Sequence, residues 1–179
     1  MLRPKKSISL FAEYYKSPIG GLILCASNKE IYAIEFTDKK NFKKNIVELS
    51  KLLKYDIIIR KNKLINNLIK ELDNYFSGKL IRFKTPLHYE GTKFQHNVWN
   101  ILRKIPYGKT ISYKDLAEKV KNSKAVRAVG LANKANPIAI LIPCHRVINH
   151  NGLIGGYNGG VWRKEYLLKL EKFFNKLKE

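Results

Sequence analysis

Two cysteines, Cys25 and Cys144, and one methionine are all the sulfur in this 179-residue chain. There is no CxxC and no pair of Cys/His clusters at zinc spacing, which argues against metal ligation, and nothing else points to a cofactor. One conceivable bridge in a chain of this length is not a disulfide framework. The opening MLRPKKSISLF has no apolar core with a small-residue cleavage site, and no apolar run approaches the ~18 residues of a membrane span. A cytoplasmic protein with free thiols and no membrane contact is expected. Acidic residues are scarce: 14 against 35 basic ones, for a formal charge of +21. The excess does not mark a site, because residues 1–88 hold 18 basic and 8 acidic side chains and residues 89–179 hold 17 and 6. Such a charge attracts polyanions and makes nucleic acid the natural partner; a lysine-rich solvated surface is the other reading. The 45% hydrophobic content is ordinary for a packed core, enough for one large domain or two small ones.

Short runs rich in β-branched and aromatic residues, Ile8–Phe11, Leu22–Cys25 and Ile31–Phe36, read as an antiparallel meander with a turn at Ser17–Gly21. Apolar positions three and four apart then predict helices over 41–54 and 62–76, around a possible strand Tyr55–Arg60, with Gly78 as a stop. Pro86 and Gly91 punctuate a linker, so a domain boundary is placed between residues 88 and 89. Beyond it lie a helix from Thr92 to Lys104, a second opened by the Ser112–Asp115 capping box, and a third from Lys124 to about Lys134 with Ser123 as N-cap. Two short helices joined by a tight turn after a longer one suggest a helix-turn-helix. The glycine-rich stretch 152–160 precedes a final helix, Val161–Lys178.

Chemistry concentrates in Ile140-Leu141-Ile142-Pro143-Cys144-His145-Arg146-Val147-Ile148, a strand-like apolar run interrupted by a Pro-Cys-His-Arg step. A buried cysteine is usually just a small hydrophobe. A nucleophilic one must become thiolate, and an unperturbed pKa of ~8.5 leaves little thiolate near neutrality, so a base or cation must stand beside it. His145 is adjacent, and the final helix can supply a carboxylate to orient it.

PCHRV, preceded by Asn136-Pro137 and followed by Gly155-Gly156-Tyr157, is similar to the signature of the O6-alkylguanine-DNA alkyltransferases. The resemblance runs from about Gly91 through Ile111-Ser112-Tyr113 and Arg127-Ala128-Val129-Gly130 to Glu171, and more loosely includes Ser17-Pro18-Ile19-Gly20. It implies an α+β fold: an N-terminal ribonuclease-H-like domain (1–88) and a mainly helical winged-helix DNA-binding domain (89–179). It implies a monomer that repairs O6-alkylguanine, and by extension O4-alkylthymine, in double-stranded DNA by one irreversible alkyl transfer.

Carried over position by position, Cys144 is the alkyl acceptor and His145 takes its proton through a bound water. Glu171 holds the imidazole, Asn136 braces the turn, and Tyr113 donates to the departing guanine. Arg127 fills the stack when the nucleotide is flipped out. Ala125, Val126, Ala128 and Gly130 give the third helix a small-residue surface suited to close approach in the minor groove. Val147, Ile154, Gly155, Gly156, Tyr157, Asn158 and Gly159 form the pocket. Asn158 stands where some members have serine, and Gly159 is expected to leave room for groups larger than methyl. Two rivals exist. A non-catalytic alkyltransferase-like lesion binder lacks the acceptor that Cys144 provides, and a winged-helix regulator does not explain PCHRV.

Overall fold

The computed structural model describes residues 9–40, 42–53 and 56–177. Of the sequence expectations, Ile8, Tyr55, Lys178 and the helix positions 41 and 54 lie outside that set.

The meander forms as β1 (Leu10–Ser17), β2 (Gly20–Ala26) and β3 (Ile31–Phe36), paired antiparallel in sequence order. Its first turn is set by Ser17, whose hydroxyl accepts from the Ile19 amide (3.2 Å) and donates to the Gly20 carbonyl (2.6 Å). Gly20 takes φ +107°, open to a residue without Cβ. Helix α1 (Phe42–Leu53) crosses over to β4 (Ile57–Ile59), which pairs parallel with β1 and completes the sheet order β3-β2-β1-β4. Helix α2 (Lys63–Phe76) starts at Asn62, whose side chain caps the Ile65 amide at 2.8 Å, and buries Ile65, Leu68, Leu72 and Tyr75.

The second half contains α3 (Lys93–Leu102), β5 (Ile111–Ser112), α4 (Tyr113–Lys119), α5 (Val126–Lys134), β6 (Val147–Ile148) and α6 (Val161–Lys176), with β5 and β6 paired in parallel. Thr92 and Gln95 make a reciprocal capping box on α3, and Ser112 with Asp115 does the same on α4. Among the described residues no helix is long and apolar enough to cross a membrane.

The halves are joined through the free edge of β3. Ile31 pairs with Leu87 of the linker, and Ile34 pairs with Ile138 just ahead of the cysteine, the Ile34 amide donating to Pro137 O (3.0 Å) and Ala139 N donating to Ile34 O (3.1 Å). One apolar cluster runs from Phe11 on β1 through Trp99 and Val129 to Leu167 on α6. The segment carrying the nucleophile is thus fastened to the N-terminal sheet by backbone bonds.

Two local expectations differ from what forms. The third helix begins at Val126, not Lys124, and Ser123 does not cap it: the Ala125 amide closes a turn on Asn122 O at 2.9 Å, which puts Ala125, with no polar side-chain atom, in the N-cap position. Nor is Ile140–Ile142 a strand. Asn136 turns the chain by accepting from the Ile138 amide (3.0 Å) and donating to Ile142 O (2.8 Å), and Ile140 is held at φ +72°. For a β-branched residue that is a strained conformation, sustained here by burial of Ile140 itself together with Ile138, Leu141 and Ile142.

Candidate active site

Cys144 opens a single 3-10 turn, Cys144–Arg146, all three residues of which are buried. Asn136 reaches into the turn it braces and donates to Cys144 Sγ at 3.1 Å, while Asn133 of α5 donates to the Cys144 carbonyl at 3.2 Å. Burial pushes the thiol pKa up; the Asn136 hydrogen bond and the Lys164 ammonium work the other way without overcoming it. The resting sulfur is therefore a protonated thiol that awaits a base.

Next in sequence stands an imidazole. His145 Nε2 donates to Glu171 Oε1 at 2.8 Å, with both side chains shut off from solvent. Burial lowers the imidazole pKa although Glu171 works to raise it, so the ring stays neutral. With the Nε2 proton committed to the carboxylate, Nδ1 must hold a lone pair. Nδ1 is buried and has no hydrogen-bond partner among the described residues.

Glu171 collects donors from across the fold. Besides His145, Oε1 accepts from Tyr75 Oη (2.7 Å) and Arg146 Nη2 (2.9 Å), and Oε2 accepts from Arg146 Nε (2.9 Å) and the Gly108 amide (3.0 Å). Burial alone would raise this carboxyl's pKa; the interactions with His145 and Arg146 outweigh it and hold the group well below the carboxylate range. Since His145 is neutral, the guanidinium is the charge that matters. Arg146 is itself fixed by a 2.6 Å bond to Ile105 O and by the Tyr107 ring beneath it.

Lys164 is fully buried on α6, donating to Val147 O (2.6 Å) and Gly156 O (3.3 Å) and lying 5.8 Å from the Tyr113 ring centre. Burial lowers its pKa to about 8, with Cys144 acting in the opposite direction. Tyr113, the first residue of α4, is partly buried; burial raises its pKa, the Asn133 amide beside it works to lower it, and Cys144 is near enough to add to the rise. The phenol is neutral and close to the sulfur.

The structure draws Tyr157, Asn158 and Gly159 around the cysteine, where they line a cavity of about 20 Å³ together with Ile34, Phe36 and Ala139. Tyr157 packs edge-on against Phe36, and its buried hydroxyl faces Cys144 closely enough that its own pKa is raised, first by burial and then by the sulfur. Asn158 is turned to Lys134 O at 2.9 Å. Val147, Ile154, Gly155 and Gly156 are not in that lining; Val147 is core and offers its carbonyl to Lys164, and Gly155 sits at φ +71° over Asn149. The room expected beside Gly159 is occupied. A Cβ there would come within 2.6 Å of Phe36 Cε2 and 2.7 Å of Tyr157 Cε1.

On α5, Val129, Ala132 and Asn133 face the core, and Val126, Arg127, Ala128 and Leu131 are exposed. Ala125 precedes the helix, and Gly130 sits beside the Tyr113 ring. A groove of about 290 Å³ joins Arg127 and Gly130 to Tyr113 and His150. His145, Glu171 and Cys144 are legible in the sequence as residue types; Arg146, Lys164, Asn133, Tyr75 and Phe36 are not. A signal existed for Lys164: it shares a helical face with Leu167 and Glu171, where a lysine has no reason to be unless its ammonium has partners.

Comparison with known proteins agrees with this geometry. Residues 10–89 match the family described as 6-O-methylguanine DNA methyltransferase, ribonuclease-like domain, and residues 93–173 match its DNA binding domain. Methylated-DNA--protein-cysteine methyltransferases of Methanosarcina acetivorans and Methanosarcina barkeri are 40% and 43% identical over 90% and 91% of this chain and 98% of theirs. The crystal structure of Mycobacterium tuberculosis OGT in complex with DNA superposes with a TM-score of 0.79 at 36% identity, over 92% of this chain and 94% of that one. With both family domains matched in order along one chain, this protein belongs to the 6-O-methylguanine DNA methyltransferase family.

Proposed function

We propose that this protein repairs O6-alkylguanine in double-stranded DNA by transferring the alkyl group to Cys144, once per molecule. The observation that carries the reading is the buried Cys144 thiol, held by Asn136 beside a neutral His145 whose tautomer is fixed by Glu171. Nδ1 accepts the thiol proton through a bridging water, and the sulfur attacks the alkyl carbon from the side opposite O6. The S–C bond forms as the C–O bond breaks. Guanine departs with the electron pair and takes a proton from the Tyr113 phenol, which burial keeps neutral until then. The product is a thioether, which no group in the site can hydrolyse, so turnover ends.

The same reading assigns DNA binding to α5. Small and apolar exposed residues on a short helix suit a minor groove, and on this reading Arg127, exposed on the same helix, enters the stack vacated by the flipped nucleotide. The surplus of basic side chains supplies phosphate contacts along the rest of the surface. Intact-mass and peptide mass spectrometry after mixing with O6-methylguanine duplex tests the proposal. One methylene should appear on Cys144 and nowhere else, at one equivalent. Tight binding with unchanged mass would mean a lesion binder instead of a transferase.

A further inference from the structure

We infer that Phe36, a residue of the N-terminal sheet, limits the size of the alkyl group that Cys144 can accept. The inference rests on the proposed transfer reaction and concerns only its selectivity.

Backside displacement puts sulfur, alkyl carbon and O6 on one line. Anything beyond a methyl group must therefore splay sideways from that line into whatever space lies beside the sulfur. The space there is the cavity of about 20 Å³ lined on its apolar side by Cys144, Ile34, Phe36, Ala139, Tyr157 and Gly159, with polar side chains such as Lys39 and Asn136 on the other. So small a void accommodates a methyl, whereas a benzyl ring has to push against its walls. Of the bounding side chains, Ala139 is small and Tyr157 belongs to the loop that carries the pocket. Ile34 and Phe36 come from outside it, on β3, and Phe36 is the larger and the one that reaches Tyr157 and Gly159.

Its ring is held, not merely present. Phe36 is 2% exposed, packs edge-to-face on Tyr157 with centroids 6.5 Å apart, and fills the space that Gly159 leaves by lacking a side chain. The Arg163 guanidinium lies over the ring at 4.2 Å, fixed by bonds to Ile19 O (2.6 Å), Gly159 O (2.5 Å) and Asp38 Oδ2 (2.7 Å). One arginine thus locks the β1–β2 turn, the phenylalanine and the pocket glycine into a single arrangement. The groove beside Tyr113 and Arg127 shares no lining residue with this cavity, so a change at Phe36 acts beside the sulfur and leaves the groove's walls in place.

The test is a ratio. Single-turnover rates are measured with two duplexes identical except for O6-methylguanine or O6-benzylguanine, for wild type, Phe36→Ala, Phe36→Leu and Phe36→Trp, with thermal melts confirming that each variant folds. The benzyl-to-methyl ratio should rise by about tenfold or more in Phe36→Ala, rise less in Phe36→Leu, and fall in Phe36→Trp. Should removal of the ring cost Phe36→Ala its fold, Phe36→Leu decides. A ratio unchanged or lowered in a folded, smaller variant overturns the inference, because both rates then depend on Phe36 only through general packing. If wild type transfers neither group, the proposed function itself fails, an outcome distinct from an unchanged ratio.

Discussion

Glu171→Gln removes one charge and almost no volume from the interior. The carboxylate accepts five hydrogen bonds, three on Oε1 and two on Oε2, and is 0% exposed. A glutamine amide has one acceptor oxygen, so either orientation turns an NH₂ toward at least two of those donors. Arg146 would also lose its counter-ion while staying buried. Breaking a buried pair from one side costs about 3–5 kcal/mol, which for a domain of this size lowers Tm by about 6–20 °C. The pH dependence has a definite sign. The unfolded carboxyl titrates near its ordinary 4.5 and the folded one well below it, so its stabilisation is complete above 4.5 and disappears as pH falls toward the folded value. Melting curves of wild type and variant should therefore be furthest apart near neutrality and converge in acid. Single-turnover methyl transfer measured on the same samples should slow, since a neutral amide holds the His145 tautomer more weakly than the carboxylate does. A variant within about 1 kcal/mol of wild type at neutral pH would refute the reasoning, because an uncompensated buried guanidinium cannot be that cheap.

Cys144→Ala should abolish transfer while holding DNA affinity within severalfold in a gel or anisotropy titration, as phosphate contacts supply most of the binding. Cys25→Ala should transfer at close to the wild-type rate, because Cys25 lies fully buried in β2 with burial pushing its pKa up to about 12; a loss equal to that of Cys144→Ala would exchange their roles. The pH–rate profile should be level above the ordinary imidazole value of 6.5 and fall on the acid side, because the lowered folded pKa keeps His145 neutral until the medium is more acid than that. A rate that keeps climbing through pH 8–9 would point to bulk ionisation of the thiol instead. Arg127→Ala should slow repair of duplex DNA strongly and leave reaction with a free O6-alkylguanine base nearly untouched, since only the duplex has a stack to open; equal loss in both would place the residue in the fold of the pocket.

Much of this was readable from the sequence because it is local. The Ser112–Asp115 capping box depends on positions three apart, and the β1–β2 turn on Ser17 and Gly20, so both form as expected. The relay partners His145 and Glu171 were named from residue type and family pattern. What resisted reading is long-range or backbone-strained. Tyr75 bonds Glu171 across 96 positions of chain, and no periodicity in α2 distinguishes that tyrosine from an ordinary core aromatic. Ile140–Ile142 has the composition of a strand but is bent by Asn136, whose side chain competes for the backbone that a strand would need. Gly159 looked like open space because the ring that fills it is encoded more than a hundred residues earlier.

The position of Glu171 after Cys144 along the chain also sets an order of events during synthesis. When the Pro143–Arg146 step leaves the ribosome, the nucleophile and its base exist, but α6, which carries their carboxylate and Lys164, does not. Until that last helix docks, the imidazole can flip between tautomers and the cysteine is an ordinary thiol. A nascent or truncated chain therefore carries the thiol without the carboxylate and ammonium that surround it in the finished fold. For a protein that can act only once, selective transfer is the last property the chain acquires, when α6 closes the site.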